Sequence, residues 1–570
     1  MKFRRFLILT GKKFSAAYQA FLAAVGADGG TAEAKTYTDA LLQTASNASI
    51  LQIPSAYKAG VLYNQIPIIG AELVTNGDFA TDTDWTKGVG WTIGSGTANA
   101  SATITDLGQT ITIETGKKYR VEYTISNYVS GTVRFKLGII NGNTESGNGT
   151  YVEIITAGSS YGVIALDGTA TFTGSIDNVS VKQVQDFTVA RASDVWRTNE
   201  QGVLEVLGNN VPCIDYSDGF PVLLTQPQST NLVTYSNDFT NWTAGGGILR
   251  DYDIATSPDG ILNASKIYAP STGTGFYSIL SPTYNVVNGE PQTVSIFVKA
   301  TGLNWIRFGA IAPEQWAYFD LENGIIGTQS GTPPENVKIE DYGNGWFRCS
   351  VTAINNNTIQ RTQIYLAEAD NDLAFVGDDV SGVYIYGAQG EALSYPTSYI
   401  PTSGATATRI KDVISGAGST ASINSEEGVL YFNGTYLIDD GDANGKKIAI
   451  SDGTSANRIY MTPYQSVASW IRVVFSVGGA TQADLVATGL DLTQEIAIAV
   501  KWKLNDFELY INGVSTTTDV SGTVPTANTF NQLHLGSELG NGTGLLFAKT
   551  KQLRVYESIA DAQIDLPYIS

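Results

Sequence analysis

The chain reads as all-β: three β-sandwiches in series behind a short N-terminal helical arm. Three observations predict this. The words Leu73-Val74-Thr75, Asp78-Phe79 and Trp85-Thr86 return about 160 residues later as Leu232-Val233-Thr234, Asp238-Phe239 and Trp242-Thr243. Each copy opens a stretch of alternating strand pattern, and such a repeat marks two domains built to one plan. The composition, with 60 Gly, 29 Tyr, 21 Phe, 9 Trp and only 15% charged residues, is that of glycine-turned, aromatic-rich sandwiches rather than of long helices. Near the C-terminus Ile496, Ile498, Val500, Trp502 and Leu504 alternate, Asn505-Asp506 turns, and Phe507, Leu509 and Ile511 alternate back toward Asn512-Gly513. That is the pattern of a β-meander.

Residues 1–50 are the helical region. Phe14, Tyr18, Phe21, Leu22 and Val25 recur at three- and four-residue spacing until Gly26 and Gly29-Gly30. Thr31 then serves as N-cap for a second short helix with Ala34, Tyr37, Leu41 and Leu42 on one face. Two short amphipathic helices bury little against each other. The segment therefore reads either as a hairpin packed on its neighbouring domain or as a docking arm inserted into a larger assembly. Residues 51–70, with Pro54 and Pro67, read as an extended linker.

Residues 71–184 form the first sandwich. Tyr119, Val121, Tyr123 and Ile125 alternate, as do Val133, Phe135, Leu137 and Ile139, and the last strand carries Ile176, Val179 and Val181. Asn76-Gly77, Asn141-Gly142 and Asn148-Gly149 are expected at its turns and corners. Residues 185–230, less regular, read as a connecting segment. Residues 231–402 form the second sandwich, with Val294, Ile296 and Val298 alternating, further strands at Trp346–Val351 and Val383–Tyr386, and Tyr395–Pro401 as an extended exit. Residues 405–570 form the third.

The formal charge, 34 − 54 = −20, opposes binding to nucleic acid or an anionic bilayer, where basic patches supply the affinity. No apolar run approaches the roughly 20 residues that span a membrane. The start, Met1 to Leu9, imitates a signal peptide, but its apolar stretch is only Phe6 to Leu9, so it reads as a retained arm. The two cysteines, Cys213 and Cys349, fall in different modules and rule out a disulfide framework, which is compatible with assembly in a reducing cytoplasm. Cys349 shares a strand face with Phe347 and Val351 and reads as a small buried hydrophobe.

One histidine, His534, serves the whole chain; flanked by Leu533 and Leu535, it reads as a partly exposed strand residue. Two cysteines and one histidine make no ordinary zinc site. The nucleophile elbow, phosphate loop and dinucleotide fingerprint are all missing from the sequence. Catalytic residues are therefore not assigned, and the chain is read as a non-enzyme, with carboxylate-based glycoside hydrolysis left open by its 54 acidic residues. Trp and Tyr faces stack on sugar rings but more often fill cores. For Trp85, Trp91, Trp242, and for Trp316 with Tyr318 on one face of their strand, no sugar-binding role is assigned.

Three stretches resemble known families. Residues 72–86, closing with Gly174-Ser175-Ile176-Asp177-Asn178-Val179-Ser180-Val181, resemble the jelly-roll carbohydrate-binding modules of bacterial glycanases. Residues 191–242 and 340–402 resemble a family of phage structural proteins. The words that match are Arg191-Ala192-Ser193, Asn199-Glu200-Gln201-Gly202, Val211-Pro212-Cys213-Ile214-Asp215-Tyr216, Thr230-Asn231-Leu232, Gly343-Asn344-Gly345-Trp346-Phe347-Arg348 and Ser398-Tyr399-Ile400-Pro401-Thr402. Residues 428–570 resemble the concanavalin-A-type lectin and glucanase sandwich, through Leu509-Tyr510-Ile511-Asn512-Gly513, His534-Leu535-Gly536-Ser537 and Leu553-Arg554-Val555-Tyr556. There are departures. Ala80 stands where the binding modules place an acidic calcium ligand, leaving Asp177 as the calcium candidate. Cys213 and Ser229 stand where the phage pattern often has Arg. The Glu-x-Asp-x-x-Glu strand of the hydrolytic concanavalin-type members is missing.

Together the resemblances imply a virion structural protein of a tailed bacteriophage, a head or tail fibre or appendage. Residues 1–50 are expected to dock on other virion proteins while the sandwiches meet host surface polysaccharide. The expected state is a homo-oligomer, a trimer, assembled in the host cytoplasm and exposed on the particle exterior, without cofactor beyond a structural calcium. The rival expectations are a capsular polysaccharide depolymerase, a purely architectural decoration or collar protein without ligand, and a secreted bacterial adhesin.

Overall fold

The computed structural model describes residues 48–52, 69–184, 187–311, 314–439, 446–463, 469–536 and 544–569. The helices expected before residue 48 lie outside them. The described chain is nearly all strand: one α-helix, Ile559–Asp565, and one 3-10 turn, Phe239–Asn241, complete its regular structure. These strands build three antiparallel sandwiches.

In the first, one sheet runs in the order Gly149–Thr156, Lys118–Ser130, Phe172–Val184, Thr97–Thr103, Trp91–Gly94, with Ile69–Glu72 joining the far end of Phe172–Val184. The facing sheet runs Thr86–Lys87, Asp106–Thr110, Val163–Gly168, Val133–Leu137, Ile140–Glu145. Tyr119, Val121, Tyr123 and Ile125 all point into the shared core. The odd spacing of Ile176 and Val179 has a cause: the strand bulges after Asp177, Asn178 takes φ 53°, and both side chains still reach the core. Asn141-Gly142 departs from expectation, since both lie within the strand Ile140–Glu145. Gly138 (φ 59°) and the exposed Ile139 make the turn instead. The Glu153 carboxylate, which accepts the Asn143 amide at 2.9 Å, lies where a Cβ on Gly142 would stand.

The two copies of the repeated opening share one device. Trp85 Nε1 donates to the carbonyl of Asn76 and Trp242 Nε1 to that of Tyr235, each at 3.0 Å, the acceptor following Thr in both copies. Each indole also meets its own phenylalanine, Phe79 or Phe239, at a ring separation of 5.2 Å.

The middle sandwich pairs the sheet Thr243–Gly245, Ser278–Leu280, Thr362–Ala367, Trp305–Ile311, Glu314–Asp320, Ile325–Gln329 with Leu249–Thr256, Leu262–Tyr268, Gly382–Glu391, Pro291–Thr301, Trp346–Ile354, Asn336–Asp341. The second of these sheets is covered on both faces. Its outer side carries Phe297, Trp346 and Tyr386 against Leu204 of the hairpin Val195–Leu207 and Tyr399 of the exit segment. Ring contacts at 4.9 Å (Phe297–Tyr342) and 5.6 Å (Trp196–Tyr399) bind that layer.

The C-terminal sandwich gathers strands from the whole chain. Among the described residues its larger sheet orders Ile214–Asp215, Val222–Thr225, Ala548–Tyr556, Glu427–Tyr436, Ile496–Lys503, Asp506–Ile511, Val514–Asp519, and Ile50–Gln52 pairs with the end of Ala548–Tyr556. Its other sheet begins at Thr188–Ala190. Residues 185–230, expected to connect, thus contribute strands to both layers, and Ile50, at the arm's expected end, is a core residue. The reason is packing: Ile50, Phe187, Ile214 and Leu223 complete an apolar core that residues 413–569 leave open. The first two sandwiches are therefore insertions between strands of the third.

The words that resemble phage structural proteins converge on the junction of the last two sandwiches. Arg191 donates to Asp412 and to the carbonyls of Gly208 and Val211. Asn231 donates to the carbonyls of Ala388 and Ile400 and accepts the Gly390 amide. Arg348 donates to the carbonyl of Thr397 and to Ser295. Buried Glu391 accepts from the Ser229 hydroxyl and from the Thr397 amide and hydroxyl.

Candidate functional site

Each residue singled out from sequence has a place. Trp85, Trp91 and Trp242 are core residues, and both cysteines are buried and free. Asp177 accepts the amide of Asn178 at 2.7 Å, capping the bulge. It offers one carboxylate, whereas hard cations take six to eight oxygens. Among the described residues no group of three or more His, Cys, Asp or Glu stands where a metal would be held. His534 departs from expectation: it is buried, with Nδ1 accepting the Gly416 amide at 3.3 Å and Nε2 unpartnered among the described residues. The neighbouring strand bulges between Ile414 and Ala417, which brings Gly416 over the ring. Burial lowers its pKa to about 4.

Trp316 and Tyr318 do share the face turned away from the core, but Tyr318 is buried and Trp316 only half-buried; other strands complete the face. In Trp305–Ile311 alternation sends Ile306, Phe308 and Ala310 inward and Trp305, Arg307 and Gly309 outward. Register sets Arg307 opposite Tyr365 on one side and Tyr318 on the other, and Gly309 opposite Trp316 and Gln363. The Arg307 guanidinium lies 4.1 Å from the Tyr365 ring centre and 4.9 Å from that of Trp316. Trp316 meets Tyr318 edge-on at 5.5 Å. A Cβ on Gly309 would lie 2.7 Å from the Cα of Trp316, so only glycine lets Trp316 cross the strand toward the arginine. Glu314 Oε1 stands 3.7 Å from Arg307 Nη2, and among the described residues Arg307 donates no hydrogen bond. At the Trp305 end the face runs into a cavity of about 460 Å³ flanked by Asn304, Glu368 and Asp378.

A second open face lies on the first sandwich. Asp106 and Asp167 are cross-strand partners, with Arg134 opposite Asp167 on the next strand. Arg134 Nη2 stands 2.8 Å and Lys136 Nζ 3.2 Å from Asp167, and Lys136 is 3.3 Å from Asp106. Gly108 and Ala165 leave a shallow groove of about 670 Å³ beside them. Burial and the neighbouring Asp167 raise the Asp106 carboxyl above its usual range. Burial pushes Asp167 up too, but hydrogen bonds from Arg134, Lys136 and Asp106 outweigh it and hold Asp167 low. The two carboxyls are close enough to hydrogen-bond each other. Glycoside cleavage takes a pair about 5 Å or more apart, so this pair lacks that spacing.

The third concavity, about 290 Å³, lies at the junction, among Trp196, Asp218, Glu340, Tyr342, Tyr395 and Lys549. Its Lys549 is committed, donating to Asp218 at 2.7 Å and to Ser217 at 3.1 Å.

Sequence reading found Trp316 and Tyr318 but missed Arg307, Tyr365, Asp106 and Asp167. The alternating outward set Trp305, Arg307, Gly309 was visible; its partner Tyr365 enters from a strand some 60 positions away.

The chain matches no protein-family model and no curated protein. Among solved structures it is similar to the N-terminal CBM22-1–CBM22-2 tandem domain of Xyn10C from Paenibacillus barcinonensis. The identity is 11%, the coverage 60% of this chain and 100% of that one, and the TM-score 0.19.

Proposed function

We propose that the chain is a structural protein of a tailed-phage virion, a head or tail fibre or appendage. It docks on other virion proteins through the part of residues 1–50 that precedes the buried Ala48 and Ile50, assembles as a homotrimer and presents its sandwiches to glycans of the host surface. The observation that carries the adhesive part is the open sheet face of Trp316, Arg307 and Tyr365: half-buried rings and polar groups on a rigid strand frame, the equipment with which proteins hold sugars. One weak site per chain suffices, because many copies on one particle multiply effective affinity. The virion part is supported by the sequence words resembling phage structural proteins, whose buried side chains tie the middle sandwich to its own exit segment and the connecting segment to Asp412.

The test is binding of the full chain to arrayed host surface polysaccharides, with Trp316→Ala in parallel. Saturable binding that Trp316→Ala reduces is expected. No binding to any host polysaccharide would remove the adhesive role and leave the architectural one, which the buried junction favours by itself.

A further inference from the structure

The middle sandwich's open face holds an arginine whose donors are unspent. Buried and half-buried arginines ordinarily commit their N–H groups, as Arg191 does here through Nε, Nη1 and Nη2. Arg307 keeps only 13% of its side chain exposed, yet among the described residues it donates no hydrogen bond. Among the described residues the carboxylate paired with it, Glu314, stops at 3.7 Å with 64% of its own side chain in solvent. Two rings fix the guanidinium, Tyr365 at 4.1 Å and Trp316 at 4.9 Å, so the fork is oriented before any ligand arrives. Gly309 leaves no side chain between Arg307 and Ile311 on that face.

We infer that this face binds a carboxylated sugar, a uronic acid or other acidic residue of a surface polysaccharide. The sugar carboxylate takes the unspent donors of Arg307 and displaces Glu314. The sugar ring lies against the parts of Trp316 and Tyr365 that the guanidinium leaves free. The chain's net charge of −20 repels polyanions in general, so recognition depends on this fixed pairing and not on charge attraction at a distance. This assignment rests on the adhesive reading above and names its ligand class.

The experiment uses the full chain on immobilised hexuronic acid oligomers, the same oligomers after reduction of their carboxyls to alcohols, and neutral host polysaccharides. Reduction keeps the ring and removes the charge. The acidic oligomers are expected to bind at least about tenfold more tightly than the reduced ones, as for loss of a charge-assisted contact. Arg307→Lys, which keeps the charge but not the planar fork, is expected to lose about tenfold on the acidic oligomers. Glu314→Gln, a change at an exposed position, is expected to bind them more tightly, because the competing carboxylate is gone. A structural role for these residues predicts no such gain. Near-UV circular dichroism shows that each variant is folded. Equal binding of acidic and reduced oligomers, or no response to Arg307→Lys and Glu314→Gln, overturns the acidic assignment and leaves adhesion standing. Binding to neutral polysaccharides alone does the same. Absence of binding to every glycan overturns both.

Discussion

Arg191 and Asp412 stand 221 positions apart in sequence and meet at 2.8 Å, Nη1 to Oδ1, with side chains 0% and 2% exposed. Asp412 also accepts the Gln226 amide at 2.9 Å and faces Arg409 at 3.6 Å, so one carboxylate ties the connecting segment to the first strands of the C-terminal sandwich. Removing one member of such a pair strands the other's charge in a dry interior. Asp412→Ala is expected to destabilise the joined middle and C-terminal sandwiches by about 3–5 kcal/mol. Urea unfolding followed by tryptophan fluorescence measures it, and a loss below about 1 kcal/mol would show a wet, replaceable pair.

The first sandwich should not feel that substitution. Its core is closed by residues of its own, from Leu73 to Val181. Among the described residues no hydrogen bond or ion pair joins 69–184 to the other sandwiches. A module linked only through its chain ends unfolds as its own cooperative unit. Calorimetry is expected to show a transition that excised residues 69–184 reproduce and that Asp412→Ala leaves in place. A single transition moved as a whole by Asp412→Ala would contradict this.

Acid stability isolates His534, since it is the chain's one histidine. Its folded pKa, about 4, lies below the ordinary 6.5. Above pH 6.5 the ring is neutral folded or unfolded and contributes no pH dependence. As pH falls from 6.5 toward 4 the unfolded chain takes up a proton that the fold refuses, and stability drops by about 3 kcal/mol in all. Burial raises Glu153 and Glu557, which titrate with the opposite sign, so the difference between wild type and His534→Asn is the informative quantity. That difference is expected to narrow, or reverse toward the variant, between pH 6.5 and 4. Parallel stability curves across the window would place the proton elsewhere.

What the sequence disclosed and what it withheld follow from range. Alternation within one strand is local, so Tyr119 to Ile125, Val294 to Val298 and the Ile496–Ile511 meander were legible, as was the Phe–Trp device of the two openings. Ile50–Gln52 and Thr188–Ala190 are three-residue strands, too short for a period, and their partners lie hundreds of positions away. The insertion of two sandwiches into a third was therefore hidden. His534 was misjudged for a related reason: alternation gave its face correctly, but not the bulge in a second strand that covers it. At the candidate site the sequence placed Trp316 and Tyr318 together and left out the arginine, whose neighbours are chosen by register across three strands.

The carboxyl pair of the first sandwich gives a last test, in which two like substitutions act in opposite senses. Asp106 has a raised folded pKa, so its favourable contribution is full below the unfolded value of 3.8 and is lost as pH rises through the folded one. At neutral pH its charge is a burden, and Asp106→Asn is expected to raise the melting temperature of the excised module. Asp167 has a lowered pKa, so its contribution is present above 3.8 and is lost as pH falls through the folded value. At neutral pH Asp167→Asn removes the partner of Arg134 and Lys136 and is expected to lower the melting temperature. Near pH 3 the gain from Asp106→Asn should shrink, because the native carboxyl is then protonated. The two groups titrate as a pair, so each substitution also shifts the other, and carbon-13 NMR of the remaining carboxyl reads that directly: with Asp167 replaced, Asp106 loses a like charge and is expected to titrate lower. Equal effects of the two substitutions at pH 7 would mean that the pair holds no shared proton and that the groove's charges are independently solvated.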